Sequence, residues 1–483
     1  MGGRCLKCGL LDLDGFIEFD TEICPCWASC RNLFMSLPCF KAYDIRGRIP
    51  DELDEELAYK IGRAFVDFLD AKTVVVGHDI RLSSPAITAS LIDGLTDSGA
   101  DVTFIGQCGT EEVYFATAEL GVDGGICVTA SHNPIDYNGM KLVREGSIPI
   151  SEDSGLREIQ SRVVAGSFND AHRKGQCVEK DMRSIYVRHL LTYIDYKALK
   201  PLKIVVNAGN GGAGAVIDEL AKYLPVEFIK MHHEPDGSFP NGIPNPLLTE
   251  NQGVTAQKVI ESGADLGVAW DGDFDRCFFF DENGRFIEGY YVVGLLAEAF
   301  VLKDKGAKIV HDPRLVWNTQ AIVEQHGGEA IESKTGHAFI KERMRKEDAV
   351  YGGEMSAHHY FRAFSYCDNG NIPWLLIVEM MSKMALPLSK LVDARIDRFP
   401  CSGEINRKVQ DPKALLAKVE EVYGTDAIAV SKVDGLSIAF EQWRFNIRSS
   451  STEPVVRLNV ESREDLSLVK LKTMELLKLI EQG

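Results

Sequence analysis

Asp271, Asp273 and Asp275 fall on alternate residues of "DGDFDR" (271–276), directly after the apolar stretch "ADLGVAW". Three carboxylates this close repel one another unless a cation neutralises them. An all-oxygen ligand set selects a hard ion such as Mg²⁺, which keeps positions open for phosphate or water. An EF-hand is excluded, because the later glycine and glutamate of that loop are missing. Ser131 stands in "TASHNP" (129–134), at the turn after the strand-like "GGICV". Backbone amides at such a turn can stabilise negative charge, which suits a serine that carries a phosphoryl group. Taken alone, Ser-His-Asn-Pro reads equally as a helix cap or an ordinary turn. His132 could orient Ser131, but no G-x-S-x-G elbow accompanies the pair, which argues against a serine-hydrolase triad.

Two further stretches carry binding chemistry. In "GGEMSAHHYF" (352–361), Glu354 and Ser356 are groups of the kind that read sugar hydroxyls, and His358 or His359 could shuttle protons. In "RSSSTEP" (448–454), Arg448 places a guanidinium fork beside Ser449, Ser450, Ser451 and Thr452, a candidate phosphate cradle. A rival lies at "GNGGAG" (209–214), which satisfies G-x-G-x-x-G after the strand "KIVVNA". Its acidic partner would be Glu227. That residue falls inside the next strand, "PVEFIK", and not at its end, so the stretch reads as a tight strand-to-helix turn. An NAD-dependent oxidoreductase stays as the remote alternative. No P-loop consensus is present.

These loops need rigid supports, and the sequence supplies them. Leu53, Leu57, Ile61, Phe65 and Phe68 recur at helical spacing, and "TVVVGHD" and "DVTFIG" read as buried strands. The strand–helix alternation restarts after about residue 200 and again after about 300, which predicts mixed or parallel sheets with crossover helices. The fold class is therefore α/β: three successive α/β domains (35–190, 191–293 and 294–398) and a C-terminal α+β domain (399–483) around a central cleft. The closing helix carries Leu466, Val469, Met474, Leu477 and Ile480, a set expected to lie on a sheet.

The 483 residues exceed one ordinary core, and 45% hydrophobic with 26% charged residues describes a globular chain. A formal charge of −18 argues against nucleic acid as a partner but leaves room for a local basic pocket. No apolar run approaches the roughly 20 residues of a membrane span, and no signal peptide is read, so a cytoplasmic location is expected. Cys5, Cys8, Cys24, Cys26, Cys30 and Cys39 crowd the N-terminus, yet only Cys5 and Cys8 form a CxxC, so a zinc knuckle is not expected. Residues 1–34 read as an extension outside the fold.

Taken in order, "CFKAYDIRG" (39–47), "GTEEVYFA" (109–116), "TASHNP", "DGDFDRC", "KTGHAFIKERM" (334–344), "GGEMSAHH" and "RSSSTEP" resemble the α-D-phosphohexomutase superfamily, most closely its bacterial phosphomannomutase/phosphoglucomutase branch. The resemblance implies reversible conversion of mannose 6-phosphate to mannose 1-phosphate through a hexose 1,6-bisphosphate, with Mg²⁺ as cofactor and GDP-mannose synthesis downstream. Glucose phosphates are the alternative substrates. Ser131 would be the phosphoserine, and Asp271, Asp273 and Asp275 would hold Mg²⁺ with a phosphoserine oxygen. Glu354 and Ser356 would bind the sugar, and Arg448, Ser450 and Thr452 its distal phosphate. Tyr43, Arg46 and Lys141 match positions near the reacting groups; Arg276, His337 and His358 match cleft positions, and Arg314 a position that is often basic. Lys141 and His358 are the acid–base candidates, with His132 a supporting neighbour. Two departures stand out. Ser451 replaces the usual asparagine of the phosphate loop. Ala357 replaces a glycine of the sugar loop, where a Cβ opposes left-handed backbone. The partner would be a small sugar phosphate, with no membrane, and the protein a monomer or homodimer.

Overall fold

The computed structural model describes residues 37–449 and 455–481. The expected extension at 1–34 with its cysteines lies outside the described residues, as do Ser450, Ser451 and Thr452. Among the described residues four sheets follow in chain order. The first contains β1 (Ile45–Arg48), β2 (Thr73–His78), β3 (Asp101–Gln107), β4 (Gly124–Val128), β5 (Tyr137–Arg144), β6 (Ile148–Pro149) and β7 (Cys177–Glu179), in the order β1-β5-β4-β2-β3-β7 with β6 beside β5. The second contains β8 (Leu202–Asn207), β9 (Val226–Met231), β10 (Leu266–Trp270), β11 (Cys277–Asp281) and β12 (Phe286–Ile287), ordered β12-β11-β10-β8-β9. The third contains β13 (Lys308–His311), β14 (Glu329–Glu332), β15 (Tyr351–Gly353), β16 (His359–Phe361) and β17 (Cys367–Asp368), ordered β14-β13-β15-β16-β17.

These three sheets share one device. A strand that pairs in parallel on one side turns back on the other into an antiparallel partner. The pairs are β2–β4 then β4–β5, β8–β10 then β10–β11, and β13–β15 then β15–β16. The turn that joins each antiparallel pair leaves the C-terminal end of a parallel strand, the place where open α/β sheets meet ligands. Those turns carry Ser131, the three aspartates, and Glu354 with Ser356. The sequence showed each loop after an apolar strand, but not that all three occupy equivalent places.

The fourth sheet is wholly antiparallel: β18 (Ile405–Lys408), β19 (Ala429–Ser431), β20 (Leu436–Ala439), β21 (Trp443–Ser449) and β22 (Val455–Ser462), ordered β18-β22-β21-β20-β19. Alternation gives it two faces. Trp443, Phe445, Ile447, Val456, Leu458 and Val460 build a core of their own with helices Pro412–Tyr423 and Leu466–Glu481. Arg444, Asn446, Arg448, Arg457, Asn459 and Glu461 take the opposite face. The closing helix departs from the expected apolar set: Val469, Leu476 and Ile480 are buried, while Leu466 and Met474 are exposed. A face recurring every three to four residues holds 469, 476 and 480, and 474 falls off it.

Candidate active site

Ser131 is buried at the end of β4 in the left-handed region, at φ 46°. Its hydroxyl donates to Asp271 Oδ2 at 2.7 Å and lies 3.1 Å from His132 Nδ1. The turn amides do not serve an anion as expected: Ser131 N–H donates to Thr129 Oγ1 and Asn133 N–H to the Ala130 carbonyl. Positive charge comes from side chains. Arg46 is tied to Asp44 through Nε at 2.9 Å and donates to Asn133 Oδ1 within the serine loop.

One residue that sequence reasoning missed shapes this loop. The buried Arg81 donates from Nη1 to the carbonyls of Pro134 (2.7 Å) and Tyr137 (2.9 Å), and from Nη2 to those of Ser131 (2.9 Å) and Asn133 (2.6 Å). Four carbonyls on one guanidinium hold the turn to the end of β2. The only sequence signal was an arginine two residues past Asp79, at the C-terminal edge of a parallel strand.

The aspartate loop faces the serine loop. Carboxylate oxygens of Asp271, Asp273 and Asp275 lie within 4.8 Å of one another, and all three residues are buried. Lys141 Nζ donates to Asp273 at 2.7 Å and Asp275 at 2.5 Å, Thr110 Oγ1 donates to Asp273 at 2.6 Å, and Arg276 Nε donates to Asp271 at 2.8 Å. Burial opposes ionisation of Asp273, but the Lys141 ammonium and these hydrogen bonds outweigh it and hold its pKa down. Burial and the Asp273 charge push Asp275 up. Burial would lower Lys141, yet the two carboxylates raise it above the ordinary lysine range, so it is an ammonium. Among the described residues, the buried Asp271 Oδ1 and Asp273 Oδ1 have no hydrogen-bond partner. Two orphaned hard oxygens beside a third carboxyl group that burial and its neighbour's charge keep from ionising fit a divalent cation.

The Gly-rich rival has its own structural explanation. A Cβ at Gly211 would stand 2.8 Å from the Gly272 carbonyl, and one at Gly212 would stand 2.6 Å from the Phe274 ring. These glycines make room for the aspartate loop.

From Asp271 the polar contacts continue across the cleft. Arg276 reaches His132 Nδ1, and burial with the Arg276 charge pushes His132 down to about 4, leaving a neutral imidazole. Arg276 also forms an antiparallel bridge with His358, which joins the aspartate loop to the sugar loop. His358 Nε2 lies 3.7 Å from Asp275 and its Nδ1 3.4 Å from Glu354, and burial first, then Arg276, keeps it neutral. Glu354 accepts from Gly336 N–H at 2.9 Å and from the Tyr360 hydroxyl at 2.5 Å; burial raises its pKa. Arg314 is held by Asp312 at 2.8 Å and donates to Ser356 Oγ and Glu404 at 3.3 Å each. Arg448 Nη2 meets the same Glu404 at 3.5 Å. His337 opens helix His337–Glu347, edge-on to Tyr43 with ring centroids 5.7 Å apart, and burial drives it neutral. His359 turns away from the cleft: it is fully buried and pairs through Nδ1 with the Tyr351 hydroxyl at 2.7 Å. Ala357 adopts φ 71°, so the loop keeps left-handed backbone despite the lost glycine.

The arrangement is a continuous polar line: a serine beside a cation site, a neutral histidine and a carboxylate able to hold hydroxyls, and arginines at the far end. The chain as a whole is similar to known proteins. Phosphoglucomutase/phosphomannomutase family models match in order: α/β/α domain I over 38–170, domain II over 184–284, domain III over 288–399 and the C-terminal domain over 404–478. A phosphomannomutase of Salmonella montevideo is 60% identical over 453 residues, 92% of this chain and 99% of the relative. Phosphohexose mutases of Xanthomonas campestris pv. campestris (strain B100) are 58% identical over 446 residues, 92% of this chain and 100% of the relative. The crystal structure of a phosphoglucomutase/phosphomannomutase family protein from Burkholderia thailandensis superposes with a TM-score of 0.83 at 33% identity, covering 93% of this chain and 98% of that one.

Proposed function

The chain belongs to the phosphoglucomutase/phosphomannomutase family, and from that premise we infer that it is an isomerase interconverting mannose 6-phosphate and mannose 1-phosphate. The name of the Salmonella relative supports mannose, and the family's name, phosphoglucomutase/phosphomannomutase, supports glucose phosphates as second substrates. The observation that carries the reading is the Ser131 hydroxyl, 2.7 Å from Asp271, at one end of a polar line that ends on Arg314 and Arg448.

Ser131 carries the phosphoryl group. The free hydroxyl oxygen of the bound hexose monophosphate bonds to phosphorus as the bond to Ser131 Oγ breaks, giving the 1,6-bisphosphate. The bisphosphate reorients by about half a turn, and Ser131 Oγ takes back the other phosphoryl group. The same bisphosphate from solution primes the serine. Phosphoryl transfer rests on positioning and on neutralising the equatorial oxygens. Lys141, Arg276 and Arg46 bring that charge to the serine. Asp271, Asp273 and Asp275 would hold Mg²⁺, which when bound adds further positive charge for the phosphoryl oxygens. His358 and Lys141 are the proton-handling groups, in either direction of transfer. Glu354 and Ser356 hold the sugar hydroxyls, His337 and Tyr43 line the cleft beside them, and Arg314 and Arg448, with Ser450, Ser451 and Thr452, receive the distal phosphate. His132 positions Arg276 and the serine loop. No described helix is long and apolar enough to cross a membrane, and we place the protein in the cytoplasm.

Ser131→Ala is expected to abolish mannose 1-phosphate turnover and phosphate incorporation into protein while leaving the thermal midpoint near wild type. Retained mutase activity in that variant would refute the mechanism. The same coupled assay on glucose 1-phosphate decides the second substrate.

A further inference from the structure

Arg448 and Arg457 are register partners on β21 and β22, so both guanidiniums leave the sheet on the same face. Like charges directly opposite destabilise a strand pair. One carboxylate relieves the repulsion here. Glu404, on the segment between helix Leu388–Arg398 and β18, accepts from Arg448 at 3.5 Å and from Arg457 at 3.3 Å. Arg314 reaches the same carboxylate from the third domain at 3.3 Å. Asp434 stands 3.8 Å from Arg448.

Charge-assisted N–H···O bonds settle near 2.7–2.9 Å, so all three contacts to Glu404 are long. Among the described residues, the buried Arg448 Nε and Arg457 Nε have no hydrogen-bond partner. Three guanidiniums converge on the two Glu404 oxygens, with Arg314 otherwise held by Asp312 and Arg448 near Asp434, and the two Nε donors are left over. That donor set suits an anion with more oxygens and more charge than a carboxylate, which describes a phosphate dianion.

We propose that Arg457 is a further phosphate-binding residue and that Glu404 is the internal counter-anion displaced from Arg314, Arg448 and Arg457 by the distal phosphate. The proposal deepens the mutase reading and rests on it. A tethered competitor acts at high effective concentration and so weakens phosphate binding. This serves a reaction whose bisphosphate must leave the cradle and re-enter it by its other phosphate. Glu404 also lies on the connection between the third and fourth domains, so its release links phosphate arrival to the placement of the fourth.

The test titrates inorganic phosphate into the intact protein by calorimetry, with KM and kcat for mannose 1-phosphate measured in parallel. Arg457→Gln is expected to weaken phosphate binding about ten-fold and to raise KM more than it lowers kcat. Glu404→Gln is expected to tighten phosphate binding about three- to ten-fold and to lower KM. Unchanged affinity in Arg457→Gln overturns the proposal, and so does unchanged or weakened affinity in Glu404→Gln. If either glutamine variant fails to fold, Arg457→Lys and Glu404→Asp decide, with shifts of about three-fold expected in the same directions and no shift overturning the proposal. Wild-type protein inactive on both hexose phosphates would refute the mutase reading instead, while the phosphate titration still judges the cradle.

Discussion

Three residues with a Cβ sit in left-handed backbone inside the reactive loops: Ser131 at φ 46°, Phe274 at φ 48° and Ala357 at φ 71°. Each persists because its surroundings hold it. The Arg81 guanidinium pins the carbonyl of Ser131, and the Phe274 ring fills the space beside Gly109 and Gly212. The turn at Ala357 is closed by its own N–H to the Glu354 carbonyl at 3.0 Å and by Glu354 N–H to the His358 carbonyl at 2.9 Å. Left-handed backbone costs an L-residue roughly 1–2 kcal/mol, and glycine is free of that cost. Ala357→Gly is therefore expected to raise stability by about 1 kcal/mol, read as a higher denaturant midpoint; a lower midpoint would show that the methyl group's burial outweighs the strain. The reactive side chains themselves were legible in the sequence, because carboxylates on alternate residues and a serine after an apolar strand announce their chemistry. Arg81 and Glu404 were not. The partners of Arg81 are main-chain carbonyls, and those of Glu404 are arginines 44 to 90 residues away, so neither leaves a local pattern.

At the scale of elements, strand alternation sorts "HH" into two roles that the sequence alone left open. Successive side chains on a strand point to opposite faces, so His358 meets Asp275 and Glu354 in the cleft while His359 enters the core. His359 is fully buried, and burial pushes its pKa down from 6.5 to about 3. The native state therefore binds fewer protons than the unfolded chain between those values, and stability rises with pH across that window. The contribution is fully present above pH 6.5 and is lost as pH falls toward 3, at up to about 1.4 kcal/mol per pH unit. His359→Gln keeps an acceptor for Tyr351 and removes the titration. Denaturation midpoints followed from pH 7 to 4 should fall less steeply in that variant; identical slopes would mean that His359 does not set the acid limb. The strands and crossover helices themselves were readable from periodicity. The repeated parallel-then-antiparallel turn was not, because pairing partners are chosen by the whole sheet.

Across the whole molecule, the first three domains share one apolar core that runs from Val75 to Phe399, whereas the fourth closes a core of its own. The fourth domain meets the third through polar groups. Glu461 of β22 accepts from Arg444 at 2.7 Å, from Val316 N–H at 2.8 Å and from the Tyr290 hydroxyl, while Arg444 donates to the carbonyls of Arg314 at 3.0 Å and Pro313 at 2.9 Å. This buried pair therefore grips the segment that carries Arg314, and so sets where the two halves of the phosphate cradle stand. Breaking such a pair leaves an uncompensated buried charge and costs about 3–5 kcal/mol. Because the fourth domain keeps its own core, that cost should fall on docking and spare the first three sheets. Glu461→Gln is expected to speed amide exchange in β18 to β22 by roughly 100-fold or more, while β2, β8 and β13 keep wild-type protection. A uniform loss of protection through all four sheets would mean that the fourth domain is part of one cooperative body. Selective loss, accompanied by a higher KM with kcat less affected, would show that a single buried ion pair positions the far end of the cleft.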